Sequence, residues 1–257
     1  MRIRLLPSSA GRESQLQCLT TFIIDERVAI DAGSIGFAFA PHDIGSIRHI
    51  IVTHSHSDHT ASLPIYVAEA FPSLSDPIVI YGSTEVNSAL RKYVFNDYVW
   101  PNFEKIQLSN GSGPTLEFRE LEPGRKVSIG GIDFTPIPVN HIVPTFGLLV
   151  QNAETTVAFT SDTYCTDEIW QRAHAEDNLK AVFAEISFPN EMGDLAEASK
   201  HLTPDLLAGE LRKLNRGDVD VYAVHIKPTY REDVIRQISV LRNPRVSVGE
   251  IDRVYEW

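Results

Sequence analysis

The stretch His54-Ser55-His56-Ser57-Asp58-His59 follows the apolar run Ile50-Ile51-Val52 and precedes Thr60-Ala61-Ser62-Leu63. Four metal-binding side chains fall within six residues. An apolar, β-rich run followed by such a cluster and then by a helix start reads as a strand ending in a ligand-bearing loop. His54 and His56, two apart, can reach one ion if the backbone turns, which leaves Asp58 and His59 to face a second. Imidazole nitrogens with a carboxylate oxygen suit zinc, whereas an all-thiolate or all-oxygen set is not on offer.

A lone H-x-H is usually a solvated loop, so the rest of the chain decides its meaning. His141, Asp162 and His225 each lie at or just beyond an apolar run: Ile137-Pro138-Val139, Val157-Ala158-Phe159 and Val219-Asp220-Val221-Tyr222-Ala223-Val224. Strand ends are where separate segments converge, so these three complete a metal-ligand set. Two further features point to chemistry beyond ligation. Lys200-His201-Leu202-Thr203-Pro204 places an extra histidine just before a helix start, where a general acid for an alkoxide leaving group would serve. Glu185 ends a buried apolar strand, where an unpaired carboxylate would be costly, so it should have a partner.

At 257 residues and 43% hydrophobic content, the sequence bounds one large soluble domain with a substantial core. No window approaches the roughly 18 to 20 apolar residues of a membrane span. Met1-Arg2-Ile3-Arg4-Leu5-Leu6-Pro7 lacks a long apolar signal core, so the expected location is cytoplasmic. Cys18 and Cys165 form no zinc-type doublet and no disulfide framework. A net charge of -11 repels extended polyanions and offers no basic patch, yet bound metal ions can still draw in a small phosphate.

Short strands are expected at Ile3–Leu6, Thr20–Ile24, Val28–Ile30 and His49–Val52, with a hairpin at Asp25-Glu26-Arg27. Ser8-Ser9-Ala10-Gly11-Arg12 reads as a loop between the first two. Leu63–Phe71 reads as a helix, Ile78–Tyr81 as a strand, and Ser83-Thr84-Glu85 as a helix start leading into a helical aromatic segment near residues 84–106. That segment carries Tyr93, Phe95, Tyr98, Trp100 and Phe103. A buried cap, a homodimer contact and a base-stacking surface are its three readings. Strands follow at Leu116–Phe118, Lys126–Ile129, Ile132–Pro136, Phe146–Val150, Thr156–Phe159, Ala181–Glu185 and Val219–Val224, with Gly130-Gly131 as a hairpin turn. Helices are expected over 166–180, 231–241 and Pro204–Leu214, the last with Thr203 as N-cap, and one short strand over Val246–Tyr255. Strands that dominate early and return between helices fit an α/β, four-layer αββα sandwich. His42, His49 and His174 fit no ligand spacing and read as ordinary residues.

The H-x-H-x-D-H run with the later histidines and aspartate resembles the metallo-β-lactamase superfamily of binuclear hydrolases, from Ile23-Ile24-Asp25 and Ala29-Ile30-Asp31-Ala32-Gly33 onward. The resemblance implies the same sandwich. It also gives Asp31 the role of orienting the metal loop, where the turn alone would equally explain an Asp. Phe95-Asn96-Asp97-Tyr98-Val99-Trp100-Pro101, Ala184-Glu185-Ile186-Ser187-Phe188-Pro189-Asn190, Lys200–Pro204 and Val224-His225-Ile226-Lys227-Pro228 are similar to motifs of class II cyclic-nucleotide phosphodiesterases. Ser57 departs from that pattern, which more usually has an apolar residue there.

What this resemblance implies is specific. His54, His56 and His141 would hold one Zn2+, Asp58, His59 and His225 a second, and Asp162 would bridge, with Mn2+ or Fe2+ as alternatives. A hydroxide between the ions would open 3′,5′-cyclic AMP or cyclic GMP to the 5′-monophosphate. Asp58, His201 and Glu185 form the expected catalytic set, and His201, Lys227 and Trp100 the expected substrate contacts. An RNase Z-like enzyme shares the metal run and His201-Leu202-Thr203. Its tRNA-gripping arm, however, has no room in the 21 residues from His141 to Asp162. A glyoxalase II or lactonase expects a helical domain after the last ligand, where only 32 residues follow His225. Neither a membrane nor an extended nucleic acid is an expected partner.

Overall fold

A computed structural model describes residues 1–8, 16–38, 45–241 and 246–257. The expected loop residues Ser9 to Arg12, and His42, lie outside them. The described chain forms two compact units, one holding Leu19–Glu122 with strands from both chain ends, the other Pro123–Glu250.

The first unit is a seven-stranded sheet. Its strands are β1 (Arg2–Leu5), β2 (Phe22–Ile24), β3 (Val28–Ile30), β4 (His49–Ile51), β5 (Ile78–Gly82), β6 (Leu116–Glu120) and β14 (Val254–Glu256), in the order β14-β1-β2-β3-β4-β5-β6. β14 through β3 pair antiparallel, and β3 through β6 parallel. The β2–β3 turn is the expected hairpin, with Asp25 and Glu26 both at positive φ. β5 is buried along its whole length, as a parallel strand covered on both faces must be. On one face Ile50, Ile80 and Leu116 pack with Leu63, Tyr66 and Val67 of α3 (Leu63–Ala70) and Val86 and Leu90 of α4 (Thr84–Tyr93). Two short helices, α1 (Ile35–Ala38) and α2 (Ser57–Thr60), flank the turns after β3 and β4. Ser83 caps α4 by accepting a hydrogen bond from Val86 N at 3.2 Å.

The aromatic segment is helical only through Tyr93. Phe95 and Phe103 are core residues, Trp100 packs against that core, and Tyr98 is 94% exposed.

The second unit repeats the mixed pattern. β7 (Val127–Ile129), β8 (Ile132–Pro138), β9 (Phe146–Gln151) and β10 (Thr156–Phe159) are antiparallel; β10, β11 (Leu179–Glu185), β12 (Asp220–Val224) and β13 (Val246–Val248) are parallel. Gly130 and Gly131, both at positive φ, make the β7–β8 turn. Trp170 of α5 (Glu168–His174), Leu207 and Leu214 of α7 (Pro204–Leu214), and Val234 and Ile238 of α8 (Arg231–Ser239) bury one face of this sheet; α6 (Gly193–Ser199) precedes α7. α7 has its expected bounds: Thr203 caps it, Pro204 stands where no N–H is needed, and Asn215 ends it in the left-handed region.

Two further expectations are corrected. The helix expected over 166–180 ends at His174, because Leu179 already pairs with Thr156. Val246–Tyr255 is two strands rather than one: β13 pairs with β12, whereas β14 pairs with β1 of the other sheet.

Candidate metal centre

The metal loop leaves β4 at the point where the first sheet turns from antiparallel to parallel, and its residues lie beyond the carboxyl ends of β3 and β4. Open α/β sheets bind their ligands outside the carboxyl ends of the strands. Asp31, directly after β3, is buried and left-handed at φ 62°. Its carboxylate accepts hydrogen bonds from Thr53 N at 2.8 Å and Thr53 Oγ1 at 3.0 Å, and it meets His59 Nδ1 at 2.6 Å. Thr53 Oγ1 in turn lies 3.0 Å from His54 Nδ1. With the Thr53 proton directed to Asp31, the His54 imidazole donates from Nδ1, and so does His59. Both rings therefore carry their lone pair on Nε2. His54 packs edge-on to His56 at 4.8 Å and against His59 at 4.1 Å between ring centroids.

Bonds to the loop's backbone carbonyls hold it as well. Thr20 N donates to Asp58 O at 2.8 Å, Ala32 N to His59 O at 2.8 Å, and Thr60 Oγ1 to His56 O at 3.0 Å. Gly33 makes the approach possible, since a Cβ there would stand 2.1 Å from Asp58 O.

The second unit gathers the remaining residues beyond the carboxyl ends of β8, β10, β11 and β12. His141 Nδ1 lies 3.0 Å from Lys200 O, an obligate acceptor, so this imidazole too carries its proton on Nδ1. Asp162 is buried, and His225 Nε2 faces its Oδ2 at 3.5 Å. Ser161, Lys200 and His225, at φ 53°, 57° and 62°, occupy the left-handed region beside these groups. Non-glycine residues persist there only where surrounding bonds over-determine them. For His225 one such bond is Gln17 Oε1, which accepts from its backbone N at 2.7 Å.

Glu185, 1% exposed, has the partners its position demanded. Oε1 accepts from Thr163 N at 3.2 Å and Leu202 N at 3.0 Å, and lies 3.0 Å from His201 Nδ1. Glu185, His201 and His225 each offer a ligand atom within 4.8 Å of the others. Burial alone would lower the His201 pKa. The charge and hydrogen bond of Glu185, with Asp162 adding to them, outweigh burial and hold the imidazole above the ordinary histidine range, against a smaller opposing effect of Lys227.

The structure thus gathers His54, His56, Asp58, His59 and Asp31 in one unit, and Asp162, Glu185, His201 and His225 in the other, with His141 beside His201 at 5.1 Å between ring centroids. Trp100 sits with the first unit's core, its indole nitrogen buried. Thr53 and Gln17 are site residues that lie in no quoted motif, and Ser187, inside the Ala184–Asn190 motif, had no role assigned. Thr53, next to His54, and Ser187, two residues past Glu185, carried a positional hint; Gln17 carried none.

The donor set fits metal ions. His54, His59 and His141 present Nε2 while Nδ1 is engaged, the arrangement by which proteins orient metal-binding imidazoles. The β-lactamase superfamily domain matches residues 27–226. The chain belongs to that superfamily. Among relatives, a probable 3′,5′-cyclic-nucleotide phosphodiesterase of Yersinia pestis is 29% identical over 73% of the chain, and the match spans 59% of that relative's length. The structure of unliganded yeast PDE1 superposes with a TM-score of 0.80 at 15% identity over 98% of both chains. The metallo-β-lactamase fold protein YhfI of Bacillus subtilis gives 0.74 at 13% identity over 99% of both. The α/β sandwich expected from the sequence is the fold these matches establish, and the resemblance to cyclic-nucleotide phosphodiesterases is met by a relative of that name.

Proposed function

We propose that this chain is a two-zinc phosphodiesterase that opens 3′,5′-cyclic nucleotides to 5′-monophosphates, its 257 residues working as one domain. In this reading His54, His56 and His141 hold one ion, Asp58, His59 and His225 the other, and Asp162 bridges. Manganese or iron(II) would suit the same donors. When bound, the ions would supply a water of lowered pKa and positive charge to offset the phosphoryl oxygens.

The chain's own part centres on His201. The ribose 3′ oxygen leaves as an alkoxide and needs a proton. His201 holds one on Nδ1 against Glu185, which directs Nε2 toward incoming groups and favours the cationic, proton-carrying form. Lys227 lies close enough for its charge to be felt at His201, and a phosphate contact is its role here. The Glu185–His201 pair is the observation that carries the reading: a hydrolase of carbon esters or thioesters has less need of such an acid. The cyclic nucleotide as substrate is supported by the named relative. Asp31 orients the metal loop through Thr53 and His59.

Zinc-loaded protein assayed on cyclic AMP and cyclic GMP, beside precursor tRNA and a thioester, tests this. Release of a 5′-monophosphate is expected. Turnover of tRNA or thioester with both nucleotides intact would overturn the substrate while leaving a metal hydrolase.

A further inference from the structure

We infer that Ser187 is a positioning residue that ties the ligand imidazole of His225 to the Glu185–His201 pair through one buried hydroxyl, so that retention of metal depends on it; this rests on the assignment of His225 as a ligand. Ser187 is fully buried, two residues beyond the end of β11. Its Oγ lies 3.0 Å from His225 Nδ1, 3.3 Å from Glu185 Oε2, 3.2 Å from His201 Nδ1 and 3.4 Å from His225 O.

A hydroxyl has one proton to give and two lone pairs to accept with. The hydroxyl donates to the Glu185 carboxylate at Oε2. The oxygen then accepts from His225 Nδ1–H. The resulting chain, His225 Nδ1–H to Ser187 O–H to Glu185 Oε2, makes the carboxylate that orients His201 also the carboxylate that orients His225. The serine backbone joins the same knot, since Ser187 N donates to Leu202 O at 3.1 Å.

The experiment is chelator competition for Zn2+ on the full chain, comparing the parent with Ser187→Ala, Ser187→Thr and His225→Ala. Ser187→Ala should weaken zinc retention on the order of 10- to 100-fold, the effect typical of removing a group that orients a ligand. Ser187→Thr, which keeps the hydroxyl, should restore it. Parental zinc affinity in Ser187→Ala with loss in His225→Ala overturns the serine's role, as does a Ser187→Thr no better than Ser187→Ala. Parental affinity in His225→Ala overturns the ligand assignment instead. The parent alone supplies a second test that no folding defect can confuse: nitrogen NMR of the His225 imidazole should show the Nδ1–H tautomer, and Nε2–H would overturn the proposal.

Discussion

His201 and Asp31 act on the same centre through different means, and substitutions should separate them. His201 donates to Glu185 and, in the proposed reaction, carries the proton the leaving group needs. His201→Ala should therefore leave zinc content at the parental level while lowering turnover of cyclic nucleotides by about 10²- to 10⁴-fold; unchanged turnover would remove the acid role. Asp31 touches no reacting atom. It holds His59 and, through Thr53, His54, with a buried carboxylate. Asp31→Asn keeps the shape but replaces one carboxylate oxygen with an N–H donor. Zinc affinity, read by chelator competition, should fall on the order of 10- to 100-fold. Parental affinity would reduce Asp31 to a turn former. The proposed ligands were legible in the sequence because histidine and aspartate clusters at strand ends have few other uses. The groups behind them could not. Thr53, Gln17 and Ser187 are common residue types whose roles arise from contacts such as the 2.7 Å bond between Gln17 and the backbone of His225, 208 residues away.

At the scale of elements, α3 fixes the approach to β4 through a single hydroxyl. Tyr66, fully buried on that helix, donates to Ile47 O at 3.0 Å and accepts from Gly45 N at 3.2 Å and Ile47 N at 3.0 Å. Tyr66→Phe leaves two N–H groups and a carbonyl without this partner in the interior, and should cost about 1–3 kcal/mol in urea unfolding. Burial also pushes the Tyr66 pKa from 10.0 up to about 12. A raised pKa in the folded state contributes stability that is whole below pH 10 and lost as pH climbs toward 12. The alkaline decline should be shallower in Tyr66→Phe than in the parent; an unchanged slope would mean that other groups govern it. Elements with local signals were readable: α7 has its cap, its first-position proline and basic residues in its last turn, all within the sequence of the helix itself. Val246–Tyr255 lacked such a signal. Its two halves are apolar and extended alike, and only partners far away in sequence assign β13 and β14 to different sheets.

For the whole molecule, the mixed sheets and the family's sandwich were within reach of the sequence because alternating runs and hairpin turns are local, and because the metal motif carries the fold with it. Conserving that fold does not by itself require metal. Two hydrophobic cores, around α3 and α4 in one unit and around α5 and α7 in the other, are built without any ligand residue. Zinc should therefore add to an already folded protein rather than create it. A ligand that binds only the native state stabilises it by an amount set by its free concentration relative to Kd, about 2.7 kcal/mol at a hundredfold excess. For a chain of this size each kcal/mol moves the midpoint by roughly 2–4 °C, so zinc should raise Tm by about 5–10 °C over protein treated with chelator. The same increment should shrink in Asp31→Asn and in Ser187→Ala, and persist in His201→Ala. A Tm indifferent to zinc in the parent would remove the metal centre, and with it every role assigned above to the residues that surround it.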